Sequence, residues 1–260
     1  MAIATAYSSV NMNTATIWDG NITIADSNQI QVSYNGYVQN YYGNFYYNAN
    51  HSKLTGGTLT STNYYEFGNK IYEISGGSYS AMIIKSYIDN AGSMSHLFDY
   101  VFSGNDILKG SSQNDLINGY KGNDKIYGNN GIDKLNGGAG NDTLIGGLGK
   151  DVLTGGTGAD KFDFNYVRES GVSNAVMDVI TDFKHGEIDK IDLHDLDANS
   201  VSSGNQDFKF IGSAAFSSAG QIRFDAVKHI VYVSNDADST AEFAVQLNGV
   251  TSLHPSDFIL

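Results

Sequence analysis

GGAGNDTLI (137–145), GGLGKDVLT (146–154) and GGTGADKFD (155–163) are three consecutive versions of one nine-residue pattern. Read backward from them, the same spacing reaches Val101. Asp recurs every nine residues, at Asp106, Asp115, Asp124, Asp133, Asp142, Asp151 and Asp160. Two residues after each stands an apolar residue: Leu108, Ile117, Ile126, Leu135, Leu144, Leu153 and Phe162. Two residues before each stands Gly, with Gln113 the one exception. Glycine admits positive φ and tight turns where a side chain would clash. The three residues centred on each apolar position make a minimal strand, its apolar side chain inward and its neighbours outward. Turn, strand, turn, strand closes one coil of a right-handed parallel β-roll, so two repeats build a coil. Repeats an even number apart then stack. Asp106, Asp124, Asp142 and Asp160 are expected along one edge, and Asp115, Asp133 and Asp151 along the other. A glycine-rich linker has no reason to keep the strand centre apolar in every copy.

The pattern matches G-G-x-G-x-D-x-U-x and resembles the calcium-binding nonapeptide of RTX (repeats-in-toxin) proteins. Calcium takes six to eight oxygens at about 2.3–2.6 Å. Asp carboxylates and turn carbonyls from two stacked loops supply about six. The candidate ligands are therefore the seven repeat aspartates, with Gly122, Gly131, Gly140 and Gly149 in the turns. Neighbouring pairs along the two edges suggest about five calcium ions. Without cations the stacked carboxylates repel. One apolar residue per repeat is also a thin core against the entropy of ordering the chain. Lys109, Lys121, Lys125, Lys134, Lys150 and Lys161 all fall in variable positions, away from the ligand and core slots.

Composition bounds the rest. The chain has 260 residues, 30 Gly, one Pro and no Cys, with a formal net charge of −13. No disulfide and no thiolate metal site is available. The largest share of the negative charge falls after residue 163, which argues against nucleic acid or anionic lipid as a partner. The opening MAIATAYSSV lacks the basic start and long apolar core of a signal peptide. No window is apolar for long enough to span a bilayer as a helix, so no transmembrane segment is expected.

Residues 1–100 read as a small, mainly β module. Ile22 and Ile24, then Ile30, Val32 and Tyr34, alternate as half-buried strands do. Gly68-Asn69 is the expected hairpin turn between 65–67 and 70–72. The segment YVQNYYGNFYYNAN (37–50) fits aromatic cross-strand pairing, or an exposed face that stacks on sugars or a protein. Met94, Leu97, Phe98 and Val101 lie on one helical face after Ser93, a suitable N-cap, and predict a short helix capping the roll. Asp89 and Asp99 read as surface acids. Glu66 and Glu73 are placed to face each other across the hairpin, the one arrangement here with a glycosidase-like look. His51, beside the tyrosines, is the one candidate haem ligand.

The region after the repeats resembles the C-terminal domain of serralysin-type secreted metalloproteases, and similar tails occur in RTX lipases and mannuronan epimerases. The resemblance rests on KFDF (161–164), DVITDFKHGEIDKIDL (178–193) and DFIL (257–260). It implies that the middle motif closes the roll, with Asp178 and then Asp182 as candidate ligands of a last calcium. It also implies that DFIL serves export, uncleaved, by type I secretion machinery; a docked C-terminal strand is the other reading, and the two are compatible. Phe208 and Phe210, Ile222 and Phe224, Ile230 and Tyr232, and Phe243 to Leu247 mark antiparallel strands. The turn Asn235-Asp236-Ala237-Asp238-Ser239 lacks the glycine expected of a calcium loop there.

Departures from the family decide the functional expectation. None of the six histidines forms H-E-x-x-H, and G-x-S-x-G and Walker motifs are absent. The expected architecture is all-β: a mainly β module over 1–100, RTX β-roll repeats over 101–163, and a sandwich-like C-terminal β domain over 164–260. The expected protein is secreted, extracellular and non-catalytic, and folds on calcium. A polysaccharide or cell-surface component is the candidate target of its N-terminal module. A polysaccharide-acting enzyme, or a small-ligand carrier with its site in that module, is the alternative.

Overall fold

The computed structural model describes the backbone of residues 3–6, 21–25, 29–34, 37–47, 54–66, 69–75 and 79–80, and the chain over 102–260 apart from 201–203 and 237. The repeats form seven strands: β8 (Ile107–Lys109), β9 (Leu116–Asn118), β10 (Lys125–Asn130), β11 (Lys134–Ala139), β12 (Thr143–Leu148), β13 (Val152–Thr157) and β14 (Lys161–Asp163). Alternate strands pair in parallel. On one side Ile126 of β10 lies between Leu108 and Leu144, and Leu144 lies beside Phe162. On the other, Leu135 of β11 lies between Ile117 and Leu153. This is the expected coil of two repeats. All seven apolar strand centres are at most 3% exposed, so each one-residue column is fully buried between the two sheets.

Non-repeat strands finish both columns. β16 (Lys190–Asp192) and β21 (Phe258–Ile259) continue from β14, placing Ile191 beside Phe162 and Phe258 beside Ile191. β15 (Asp178–Ile180) and β20 (Phe243–Leu247) continue from β13, placing Ile180 beside Leu153 and Leu247 beside Ile180. From β20 the sheet turns antiparallel through β19 (Ile230–Ser234) and β18 (Gln221–Asp225). β17 (Lys209–Phe210) joins β18 in parallel, against the antiparallel expectation, with residues 211–220 as the crossover. Phe164 and Phe243 meet edge to face at 5.0 Å where this extension adjoins the roll. Three-residue 3₁₀ turns occur at Val167–Glu169, His185–Glu187 and Pro255–Asp257. No helix among the described residues is long and apolar enough to cross a membrane.

The N-terminal strands are β1 (Ile3–Ala6), β2 (Asn21–Ala25), β3 (Gln29–Tyr34), β4 (Tyr37–Tyr47), β5 (Leu54–Glu66), β6 (Asn69–Ser75) and β7 (Tyr79–Ser80). β2 to β6 pair antiparallel in chain order, and β1 follows β6. β1 also pairs in parallel with β8, Ala4 beside Leu108, so these strands and one side of the roll form a single thirteen-stranded sheet. Within the tyrosine-rich segment, Tyr37–Tyr47 form β4, paired with β3 on one side and β5 on the other. A register shift between Tyr64 and Tyr65 leaves Glu66 opposite Asn69, so the β5–β6 connection is 67–68, one residue earlier than expected. The same register sets Glu73 opposite Asn63, so Glu66 and Glu73 do not face each other. The predicted helix over 93–101, with His51, Asp89 and Asp99, lies outside the described residues.

Candidate metal centre

The coil period dictates how the aspartates meet. From the second member of each row onward, the carboxylate receives, through Oδ1, the main-chain N–H of the aspartate one coil earlier. Asp106 donates to Asp124 at 2.8 Å, Asp124 to Asp142 at 2.7 Å and Asp142 to Asp160 at 2.9 Å. On the other edge Asp115 donates to Asp133 and Asp133 to Asp151, both at 2.8 Å. The carboxylates therefore stack in two rows, as the spacing predicts. Oδ2 of Asp124, Asp133, Asp142, Asp151 and Asp160 is buried and has no hydrogen-bond partner. Glycine makes room for it: a Cβ on Gly137 would lie 2.3 Å from Oδ2 of Asp142.

Gly122, Gly131 and Gly140 turn their carbonyls up the stack, against Gly140, Gly149 and Gly158 of the next coil. Gly149 holds the same turn position, at φ +143°. Stacked turns thus bring carbonyl and carboxylate oxygens to the same two edges.

Burial sets the electrostatics. Desolvation lifts Asp124 and Asp133 from an ordinary 3.8 to about 7, with charges of the row neighbours adding to it. Desolvation likewise lifts Asp142, Asp151 and Asp160 to about 6. The hydrogen bond from the preceding aspartate opposes the rise in every case. A buried polar atom without a partner costs about 1–3 kcal/mol, and more when charged. Rows of such atoms call for a cation. Hard oxygen donors alone, with no sulfur or imidazole in the rows, fit calcium.

Both rows end outside the repeats. Asp178 receives the Asp151 N–H at 2.8 Å and leaves its own Oδ2 buried and unpartnered, so it occupies the next place in one row. Desolvation raises it to about 9, with the charges of Asp151 and Glu169 adding to the rise. Asp182 lies outside the ladder and receives the N–H groups of Gly155 and Gly156 at 2.9 and 2.8 Å, as a cap on that turn. The other row ends at Asp189, which sequence reasoning missed. It receives the Asp160 N–H at 3.0 Å and, through Oδ2, the Lys184 N–H at 2.7 Å. The signal was present: Asp189-Lys190-Ile191 repeats the Asp-x-apolar core of the nonapeptide.

A second ladder, also unforeseen, runs the opposite way outside the aspartates. Oδ1 of Asn105, Asn123 and Asn141 receives the N–H of Asn123, Asn141 and Ala159 at 2.8–2.9 Å. Elsewhere, Asp236, Asp238 and Glu242 gather in one turn, but Asp238 N–H and Asn235 N–H already occupy Asp236 and Glu242.

Two carboxylate rows on the edges of a parallel coil define a calcium-binding β-roll repeat protein. The chain belongs to the peptidase M10 serralysin C-terminal family, which matches residues 60–260. The solved AlgE6R3 subunit of the Azotobacter vinelandii mannuronan C5-epimerase is 29% identical, over 60% of this chain and 78% of that one, with a TM-score of 0.29. No match is found among curated proteins.

Proposed function

We propose that this is an exported, non-catalytic protein whose roll folds on extracellular calcium. The observation that carries the reading is the set of buried, unpartnered Oδ2 atoms aligned in two rows. The proposed ligands are Asp106, Asp124, Asp142 and Asp160 on one edge and Asp115, Asp133, Asp151 and Asp178 on the other. Turn carbonyls of Gly122, Gly131, Gly140 and Gly149 complete the set, for about five ions between the repeat aspartates and a further one where Asp178 follows Asp151. Bound calcium supplies the positive charge that the buried rows lack. Each site adds RT ln(1 + [L]/Kd), about 1.4 kcal/mol at tenfold excess, and stacked sites act together. At low intracellular calcium the roll stays unfolded and exportable by type I machinery. Outside the cell, sites of about 10⁻⁴–10⁻³ M affinity fill. The match to the C-terminal part of a peptidase family, together with the missing H-E-x-x-H, supports a non-catalytic role. We divide the chain into an N-terminal binding module (1–100), the repeats (101–163) and a C-terminal domain that closes the roll (164–260). The N-terminal module takes a polysaccharide or cell-surface component.

The test is a calcium titration followed by circular dichroism. Wild type should gain β signal cooperatively, with a midpoint between micromolar and millimolar calcium. Asp142→Ala removes the central carboxylate of its row, and breaking such a buried charge set costs about 3–5 kcal/mol. Its midpoint should rise steeply. Asp225→Ala, which removes a surface cap on the Val227 and Lys228 N–H groups and an exposed ion pair with Lys228, should leave the midpoint unchanged. Equal β content in EDTA and in millimolar calcium would show that the ions do not drive folding.

A further inference from the structure

Outside both rows, one cluster has a different ligand chemistry. His185 begins the 3₁₀ turn before β16, and His254 and Asp257 bracket the turn before β21. Chain closure brings together residues 72 apart: His185 Nδ1 hydrogen-bonds Asp257 Oδ1. The two imidazole rings lie 4.8 Å apart, tilted by 51°. One nitrogen of each ring and an Asp257 oxygen lie within 4.8 Å of one another. The carboxylate is 1% exposed, whereas the His185 and His254 side chains are 57% and 60% exposed.

We propose that His185, His254 and Asp257 form a site for a divalent transition metal, with zinc as the working probe. Two imidazoles and one carboxylate are a nitrogen-rich set, which suits zinc, nickel or copper, whereas calcium takes oxygen. Asp257 is already oriented. It receives the His254 N–H at 2.7 Å and donates its own N–H to the His254 carbonyl at 3.0 Å. Lys190 reaches the Ser256 carbonyl and holds the same turn from the β16 side. A structural latch between the two segments needs only His185 and Asp257. Reciprocal capping of the 3₁₀ turn by His254 and Asp257 sets the second, exposed imidazole beside the same buried carboxylate, so the turn itself assembles the three side chains. Ligands bonded to one zinc at roughly 2.0–2.2 Å are no more than about 4 Å apart. The exposed rings close the remaining gap by rotating, as surface side chains do readily.

The position has a consequence. β21 pairs with β16 only at Ile191 beside Phe258 and Asp192 beside Ile259. A metal bridging His185 to His254 and Asp257 staples this two-residue pairing at the end of the roll.

The full chain is held in saturating calcium and titrated with zinc by calorimetry, and with cobalt by visible absorption. One stoichiometric equivalent is expected, with a raised melting temperature and the d–d bands of a low-coordinate cobalt site. His254→Ala, which leaves the His185–Asp257 contact in place, should weaken zinc by at least about tenfold, since even outer partners of a metal ligand are worth that much. His194→Ala should bind zinc as wild type does; its exposed ring lies near the Leu260 carbonyl, outside the cluster. Absence of a stoichiometric zinc equivalent, or zinc binding that His254→Ala leaves unchanged, would overturn the site.

Discussion

Asp142 carries three loads on one side chain. Its Oδ1 anchors the Asp124 N–H, its Oδ2 faces a space only glycine leaves open, and its charge is buried. These separate under titration. The raised pKa values mean that the metal-free folded roll prefers protonated carboxylates. For a carboxyl lifted from 3.8 to about 6–7, the stabilising contribution is fully present below 3.8 and is lost as pH rises through 6–7. In EDTA, then, β content should increase as pH falls from 8 toward 4. Calcium has to displace those protons, so its midpoint should rise as pH drops through 7 to 6. Asp142→Asn keeps an acceptor at Oδ1 and removes the charge. It should be more structured than wild type in EDTA at pH 8, yet need more calcium to complete folding. Dichroism at four pH values, with and without calcium, measures both. A variant less folded than wild type under both conditions would mean that geometry, and not charge, dominates at this position.

At the scale of the element, the turn glycines are set by the coil beneath them. In Gly140, at φ +134°, a Cβ would lie 1.9 Å from the Gly122 carbonyl oxygen. Gly104 occupies the same place in the first repeat and has nothing within 4 Å of such a Cβ. Gln113 fits the same logic, because it stands in the first turn of its edge, with no earlier repeat below. Gly140→Ala should therefore destabilise the calcium-loaded roll by more than the roughly 1–3 kcal/mol of backbone strain alone, and Gly104→Ala should be close to neutral. Denaturant unfolding in saturating calcium distinguishes them; equal effects would sink the stacking argument. The same contrast explains what the sequence disclosed. Period nine revealed the strands and the two edges, because each repeat obeys one local rule; Asp178, 27 residues from Asp151, came from the family resemblance of residues 178–193 and not from the period. Asp189 escaped because 29 residues, not 18, separate it from Asp160, and the inserted chain hides the register. The Asn ladder escaped because its members occupy a variable slot. The β5–β6 connection was displaced by a bulge, which nothing in local turn chemistry foretold. The cluster of His185, His254 and Asp257 is invisible in sequence, since only closure of the chain joins its halves.

Across the whole molecule, the last residues are the final layer of a column that begins in the repeats. Phe258 lies beside Ile191, which lies beside Phe162, and its ring packs 5.1 Å from Phe210. The Leu193 N–H donates to the Ile259 carbonyl at 2.9 Å, and Asp257 is buried. Both sequence readings of DFIL, export ending and docked strand, therefore compete for the same atoms. An export apparatus that reads these residues meets them only while the strand is undocked. Docking requires β16, β16 requires β14, and β14 lies on the row of carboxylates through Asp160 and Asp189. In a repeat stack, stability passes from neighbour to neighbour, so the tail should dock only after the rows are charge-compensated. Carboxypeptidase tests this on the chain ending at Leu260. In EDTA, Leu260, Ile259 and Phe258 should be released rapidly and in order. In millimolar calcium their release should slow by the fraction of time the strand is open, while a short peptide of the same ending is cut equally fast in both buffers. Equal release from the protein with and without calcium would mean that the last strand docks independently of the rows. Folding of the roll would then not be what withdraws the ending from view.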